Sequence, residues 1–86
     1  MKVITKKIWP EFFRQVKAGR NKFELRLADF RVGKGDVLML REWDPKKKKY
    51  TRHTLPRKVK AVHRVDVTKF YSLEELKRYG LYVIEL

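Results

Sequence analysis

Apolar and polar positions follow two rhythms along these 86 residues, and the changes of rhythm mark where elements begin and end. Residues 2–8 read as a short strand. Pro10 then suits the first turn of a helix, where its missing N–H has no intrahelical partner to lose, and Glu11 favours the same end. Phe12, Phe13 and Val16 fall at helical spacing. Lys17 puts a positive charge in the last turn and Gly19 offers a left-handed cap, so the helix should end near Ala18. From Lys22 the period becomes two, with Phe23, Leu25 and Leu27 alternating against Lys22, Glu24 and Arg26 as in a half-buried strand.

Gly33, Gly35 and Asp36 mark a turn before Val37-Leu38-Met39-Leu40, a continuous apolar run that suits a central strand covered on both faces. Asp44-Pro45 closes it. Pro45 fits the second position of a type I turn, which puts Lys46, Lys47, Lys48 and Lys49 at the tip of a hairpin whose return strand starts at Tyr50. Pro56 interrupts that return. A longer strand follows, with Val59, Ala61, Val65 and Val67 on one face, shared by His63 as a hydrogen-bonded packing residue. Ser72 with Glu75 forms a capping box, so a second short helix runs to about Tyr79 and stops at Gly80. Leu81 to Leu86 supplies a last, mostly apolar strand. No repeat, linker or low-complexity tract divides the series. The pattern predicts a single small α+β domain over 1–86, with two short helices and a partly closed β-barrel.

Composition narrows the chemistry. A chain this short buries only about 60% of the surface its unfolded form exposes, which allows one core. Cysteine is absent, which excludes disulfides, zinc ribbons, iron–sulfur clusters and thiol nucleophiles. No apolar run approaches the roughly 20 residues of a membrane span, and Met1 to Lys7 lacks a signal peptide's apolar stretch, so a cytoplasmic location without a membrane partner is expected. The net charge of +13, with a pI near 10.3, repels itself and favours a polyanionic partner. A charged content of 38% with one Asn and one Gln fits adaptation to heat, but that trend adds Glu along with Lys, whereas here 23 basic residues face 10 acidic ones. The excess is uneven: net +6 over residues 1–40, +7 over 41–60 and zero beyond. One anionic contact region beside a neutral remainder follows from that distribution.

The candidate site starts at Gly19-Arg20-Asn21-Lys22-Phe23-Glu24-Leu25-Arg26, where a helix terminator leads into a strand with Lys22, Glu24 and Arg26 on one face at about 6.6 Å spacing. Such a row offers a guanidinium for bidentate contact with phosphate or a base edge, a second positive point, and a carboxylate that orients both. A solvated ladder of ion pairs is the plainer account of the same residues. Arg41, Lys46 to Lys49 and Arg57 can hold a phosphate backbone, although a lysine-rich hairpin tip is also what solvation alone would produce. Arg52, Lys58 and Lys60 extend the basic stretch. Tyr50 and Trp43 nearby can stack on unpaired bases, and Trp43 is equally suited to a core. Gly33-Lys34-Gly35 lacks the length of a phosphate loop and reads as a turn. The two histidines lack a partner at metal-ligand spacing, so neither metal nor cofactor is expected.

The Gly19–Arg26 segment resembles the motif of ASCH-type domains in the PUA-like superfamily, and in particular a short bacterial, phage and archaeal group among them. That motif has a Gly, a Lys two positions on, a Glu three further and an Arg two beyond. Gly19, Glu24 and Arg26 match in identity and spacing; Asn21 stands at the Lys position, and Lys22 is displaced by one, which in a strand turns it to the opposite face. Ile8-Trp9-Pro10-Glu11-Phe12-Phe13 resembles the family's strand-to-helix entry, Leu40-Arg41-Glu42-Trp43-Asp44 its central strand, and Tyr82-Val83-Ile84 its last strand. The resemblance implies a PUA-like barrel whose motif lines a cleft beside the first helix, with RNA or a nucleotide-related ligand in it. Some relatives are amidohydrolases that use a motif lysine, a threonine and a glutamate. Here Asn21 and Lys22 occupy the lysine and threonine positions, so that apparatus does not carry over.

These readings converge on a small, monomeric nucleic-acid-binding module. RNA is preferred over DNA, and single strands or loops over duplex, because no helix is both long and basic enough for a major groove. Lys22, Glu24 and Arg26 recognise the ligand in this expectation, while Arg41, Lys46 to Lys49 and Arg57 hold its backbone. Two other classes stay open: a small hydrolase acting on a modified nucleoside or RNA through Glu24 and Lys22, and an interaction subunit docking on an acidic protein.

Overall fold

Pro10 begins α1 (Pro10–Lys17) as its missing N–H requires, directly after β1 (Val3–Ile8). The helix carries Glu11 in its first turn and Arg14 and Lys17 in its last, and Gly19 follows it at φ +77°, the left-handed region a side chain disfavours. In the computed structural model, which describes residues 1–84 and 86, β2 (Val37–Asp44), β3 (Lys49–Lys58) and α2 (Leu73–Tyr79) complete the regular elements, with one turn of 3₁₀ helix at Val67–Lys69.

The three strands form an open mixed sheet in the order β1-β2-β3. β1 runs parallel to β2, with Val3 opposite Val37 and Ile8 opposite Glu42, and β3 returns antiparallel, with Val37 opposite Lys58 and Asp44 opposite Lys49. Side chains along a strand alternate between faces. Leu38, Leu40 and Glu42 therefore point to one face with Ile4 and Ile8, and α1 covers that face with Phe13 and Val16. Ile8, Phe13, Val16, Leu38 and Leu40 are the buried core, flanked by Ile4, Leu55 and Val59, and Leu40 at its centre is 1% exposed. Val37, Met39, Arg41 and Trp43 point to the opposite, open face and stay half-buried.

The observed fold is thus a small α+β arrangement with two helices, and the differences from expectation have physical reasons. Residues 22–27 are not a strand. Their alternation is real, but their backbone pairs with no sheet edge, and Phe23, Leu25 and Leu27 are exposed. Residues 60–66 also belong to no strand: Val59 is tied to Gly35 and Asp36 by its backbone and packs against the core, while Val62, His63 and Val65 are exposed, so His63 is not the packing residue expected. Residues 81–84 are likewise exposed and outside any strand; the rest of the strand expected there includes Glu85, which lies outside the described residues. β2 is central but covered on one face only. Pro56 does not break β3, because β3 is an edge strand on which a missing N–H leaves no ladder bond undone. α2 has its capping box intact, with Ser72 Oγ accepting from the Glu75 amide at 3.1 Å and Glu75 Oε1 accepting from the Ser72 amide at 3.0 Å. Gly80 ends it at φ +67°.

Candidate nucleic-acid interface

The lysine tip is built by Asp44. Its Oδ1 accepts from the backbone N–H of Lys46 at 2.9 Å and of Lys47 at 3.2 Å, which fixes the turn after β2. The Lys47 and Lys46 amides hold the Asp44 carboxyl below the usual carboxylate range. Lys48 completes the turn at φ +53°, and Lys46 to Lys49 are all exposed. Behind this tip the ladder slips. Trp43 pairs with Tyr50, but Arg41 pairs with Thr54, so Thr51, Arg52 and His53 together oppose Glu42. The bulge puts Arg52 at φ +79°, a costly position for a side chain.

Glu42, 7% exposed, is the one charged side chain buried among the described residues. Its Oε1 accepts from Thr51 Oγ1 at 2.5 Å and faces His53 Nδ1 at 3.0 Å. Since a carboxylate oxygen accepts, the facing Nδ1 is the nitrogen that carries the proton. The His53 ring is 71% exposed and stacks on Phe13 with centroids 6.3 Å apart. The bulge thus satisfies a buried acid and holds an exposed imidazole in one orientation.

The open face carries a cation–aromatic ladder. Lys7 Nζ lies 4.0 Å from the Trp43 ring centroid, the Trp43 and Tyr50 rings meet edge to face at 4.9 Å, and the Arg41 guanidinium lies 3.8 Å over Tyr50. Register explains the grouping: Lys7 is opposite Arg41 across the parallel pair, and Trp43 is opposite Tyr50 across the antiparallel one. The same face includes Thr5, Met39, Thr54, Pro56 and Lys58, and no carboxylate points to it from the three strands. A hollow of about 420 Å³ adjoins it, lined by Asp44, Lys47, Lys49, Tyr50, Thr51 and Arg52.

Of the expected site residues, Arg41 joins the aromatic ladder and Lys46 to Lys49 stand beside it. Glu24 and Arg26 pair with each other in the 20–32 loop, Arg26 Nε donating to Glu24 Oε2 at 3.0 Å, and Lys22 is exposed in the same loop. They do not line the hollow by the hairpin. Arg57 points to the helix-covered face, where it donates to the Pro56 carbonyl at 3.0 Å and the Val16 carbonyl at 3.4 Å, closing the C-terminal end of α1. Sequence reasoning did not identify Lys7, Glu42, Thr51 or His53. Lys7 becomes visible only through the parallel register, and the bulge leaves no glycine to signal it. No group of acids and histidines with metal-binding geometry occurs among the described residues. No helix among them is long and apolar enough to cross a membrane.

Neither the curated proteins nor the solved structures contain a match to this chain. Residues 5–75, which include most of β1, all of α1, β2 and β3, and the start of α2, match the sequence model of the family described as Domain of unknown function (DUF3850), and the chain belongs to that family.

Proposed function

We propose that this protein binds single-stranded RNA on the open face of its sheet, with unpaired bases stacked on Trp43 and Tyr50 and phosphates held by Lys7, Arg41 and Lys46 to Lys49. The observation that carries the reading is the face, free of strand carboxylates, on which two adjoining aromatic rings are flanked by two cations. Aromatic rings stack on any base and cations offset phosphate charge, which is how sequence-tolerant single-strand binders work. The resemblance to ASCH domains supports RNA over DNA. In this reading Arg26, which engages Glu24 through Nε alone, turns its Nη groups to a base or phosphate, with Lys22 beside it. The resemblance also implies a fuller PUA-like barrel, which the open sheet would reach by taking up residues 22–27 and 59–66, whose exposed Phe23, Leu25, Leu27 and Val65 support such pairing.

The test is fluorescence anisotropy with labelled oligoribonucleotides. Alanine substitution of a stacking residue costs about 1–3 kcal/mol per base, so Trp43→Ala should weaken binding roughly 5- to 150-fold on any sequence. Arg26→Ala should weaken one sequence context selectively. Neutralising Lys46 to Lys49 should weaken all sequences and flatten the salt slope. Full affinity in the Trp43→Ala variant would refute the open face as the binding surface. A second reading, RNA hydrolysis, is favoured by one observation: His53 is oriented by a buried carboxylate, as a general base requires. Turnover of labelled RNA that disappears in His53→Ala would support it, and absence of turnover by the parent protein would exclude it.

A further inference from the structure

At the end of the open face away from the hairpin tip lies a second hollow, of about 640 Å³, lined by Lys34, Gly35, Lys58, Val59 and Lys60. Lys58 pairs with Val37, so it shares the face of Met39, Arg41 and Trp43. The Trp43 row lies six steps along β2 from the Val37 row, about 20 Å at roughly 3.3 Å per residue. The three lysines are exposed, and no acidic residue lines the hollow.

Their backbone frame is pinned. The Gly35 N–H donates to the Val59 carbonyl at 2.9 Å, and the Val59 N–H donates to the Asp36 carbonyl at 2.8 Å, which ties the Lys34 turn to the Lys58–Lys60 segment. Gly35 allows this turn by adopting φ +92°. The nearest acid, Asp36, is engaged elsewhere: its Oδ2 accepts from the Gly33 amide at 2.9 Å and its Oδ1 from the Lys2 amide at 3.1 Å. Three lysines thus stand on a fixed backbone frame around one hollow, and the neighbouring carboxylate is turned to amides.

We infer that Lys34, Lys58 and Lys60 form a phosphate-binding subsite that receives the backbone of the same RNA strand whose bases stack on Trp43 and Tyr50. This rests on the reading proposed above and adds a path: the strand runs along the open face from the hairpin tip to the lysine hollow. A ligand too short to cover about 20 Å engages the aromatic rows and never reaches the lysines.

The experiment compares an oligouridylate of about 3 nucleotides with one of about 12, inside the range of single-strand site sizes. Both are titrated into the parent protein and into the Lys34→Gln/Lys58→Gln/Lys60→Gln variant at several salt concentrations. The parent should bind the long strand more tightly than the short one. The variant should lose about tenfold on the long strand, with its log–log salt slope shallower by about 2, three contacts at about 0.7 each, and lose nothing on the short strand. Equal losses on both lengths, or none on either, would overturn the subsite while leaving the stacking face intact. Failure of the parent to bind either strand would overturn the RNA reading and the subsite with it.

Discussion

The bond between Thr51 and Glu42 should be the most valuable polar contact in the sheet, and Thr51→Val isolates it. Valine keeps the branched shape and suits a strand, so the change removes the hydroxyl with little else. The lost bond is short, 2.5 Å, and its acceptor is a carboxylate that is 7% exposed. Hydrogen bonds to charged groups contribute about 1.5–3 kcal/mol, and Thr51 is only half-buried, so a loss of about 1.5–2 kcal/mol is expected. His53, the other partner of Glu42, is 71% exposed, and His53→Ala should cost under about 1 kcal/mol, as solvent-screened pairs do.

Urea unfolding measures both. A protein this small has a slope near the low end of about 1–3 kcal/mol/M, so Thr51→Val should lower the midpoint by about 1 M or more with the slope unchanged. In a Glu42→Gln background the acceptor oxygen remains but its charge is gone, and the cost of Thr51→Val should shrink to about 1 kcal/mol. A midpoint shift equal in both backgrounds would show that the carboxylate is not what Thr51 stabilises. A His53→Ala loss larger than that of Thr51→Val would invert the ranking and refute the burial argument behind it.

Three further outcomes follow from the backbone and the acids. Arg52→Gly should raise stability by about 0.5–1 kcal/mol, because the left-handed penalty of about 1–2 kcal/mol exceeds the entropy that glycine adds to the unfolded chain; a lower melting temperature in this variant would contradict the strain at φ +79°. Asp36, held down by the Gly33 and Lys2 amides, Asp44, held down by the Lys47 and Lys46 amides, and Glu75, held down by the Ser72 amide and hydroxyl, all lie below their ordinary values of 3.8, 3.8 and 4.5. Each folded carboxyl binds its proton less readily than the unfolded one. Their contribution is therefore complete above about pH 4.5 and is lost as pH falls through and below 3.8; melting midpoints that stay level or rise between pH 5 and pH 2, read beside an Asp36→Asn control, would contradict it. Ser72→Ala removes the capping box and should cost α2 about 1 kcal/mol. Because α2 has no buried residue, the loss should appear as faster amide exchange in Leu73–Tyr79 with little change in the global midpoint.

Elements that close on themselves were legible in the sequence. Pro10 and Gly19 bracket α1, Ser72, Glu75 and Gly80 bracket α2, and Asp44-Pro45 announces the hairpin, because each signal acts within a few residues: Pro10 by its missing N–H, Gly19 and Gly80 by positive φ, and Ser72, Glu75 and Asp44 by side-chain bonds to nearby backbone amides. Strand pairing is a different problem. Residues 22–27 alternate as well as β1 does, but alternation fixes only which side of a strand is apolar, and an edge at the right distance decides whether it pairs. The site divides along the same line. Arg41 and the lysine run are visible as residue types, whereas the Lys7–Trp43–Tyr50–Arg41 ladder requires the parallel register of β1 and the antiparallel register of β3 at once. The buried Glu42 is hidden for a further reason: its partners Thr51 and His53 reach it only through a bulge carried by an arginine, a residue that does not signal positive φ.

The excess of positive charge gains its meaning from where the few acids are placed. Asp36, Asp44, Asp66 and Glu75 direct their oxygens to backbone amides at turns and caps, and Glu42 is buried against Thr51 and His53. Among the described residues one ion pair of a carboxylate with Lys or Arg forms, Glu24 with Arg26, while Glu42 hydrogen-bonds the His53 imidazole. Half of the 10 acids thus serve to fix local structure, and they do so without neutralising a lysine. The 23 basic residues could not be balanced in any case, but this arrangement leaves the open face with Lys7, Arg41 and Lys58 and no carboxylate. Such a face repels itself, and the strand proposed to bind there would relieve a cost that folding leaves standing. If that strand is RNA, as proposed above, affinity should fall steeply with salt, since the counterions that screen the bare face are those a bound strand would displace.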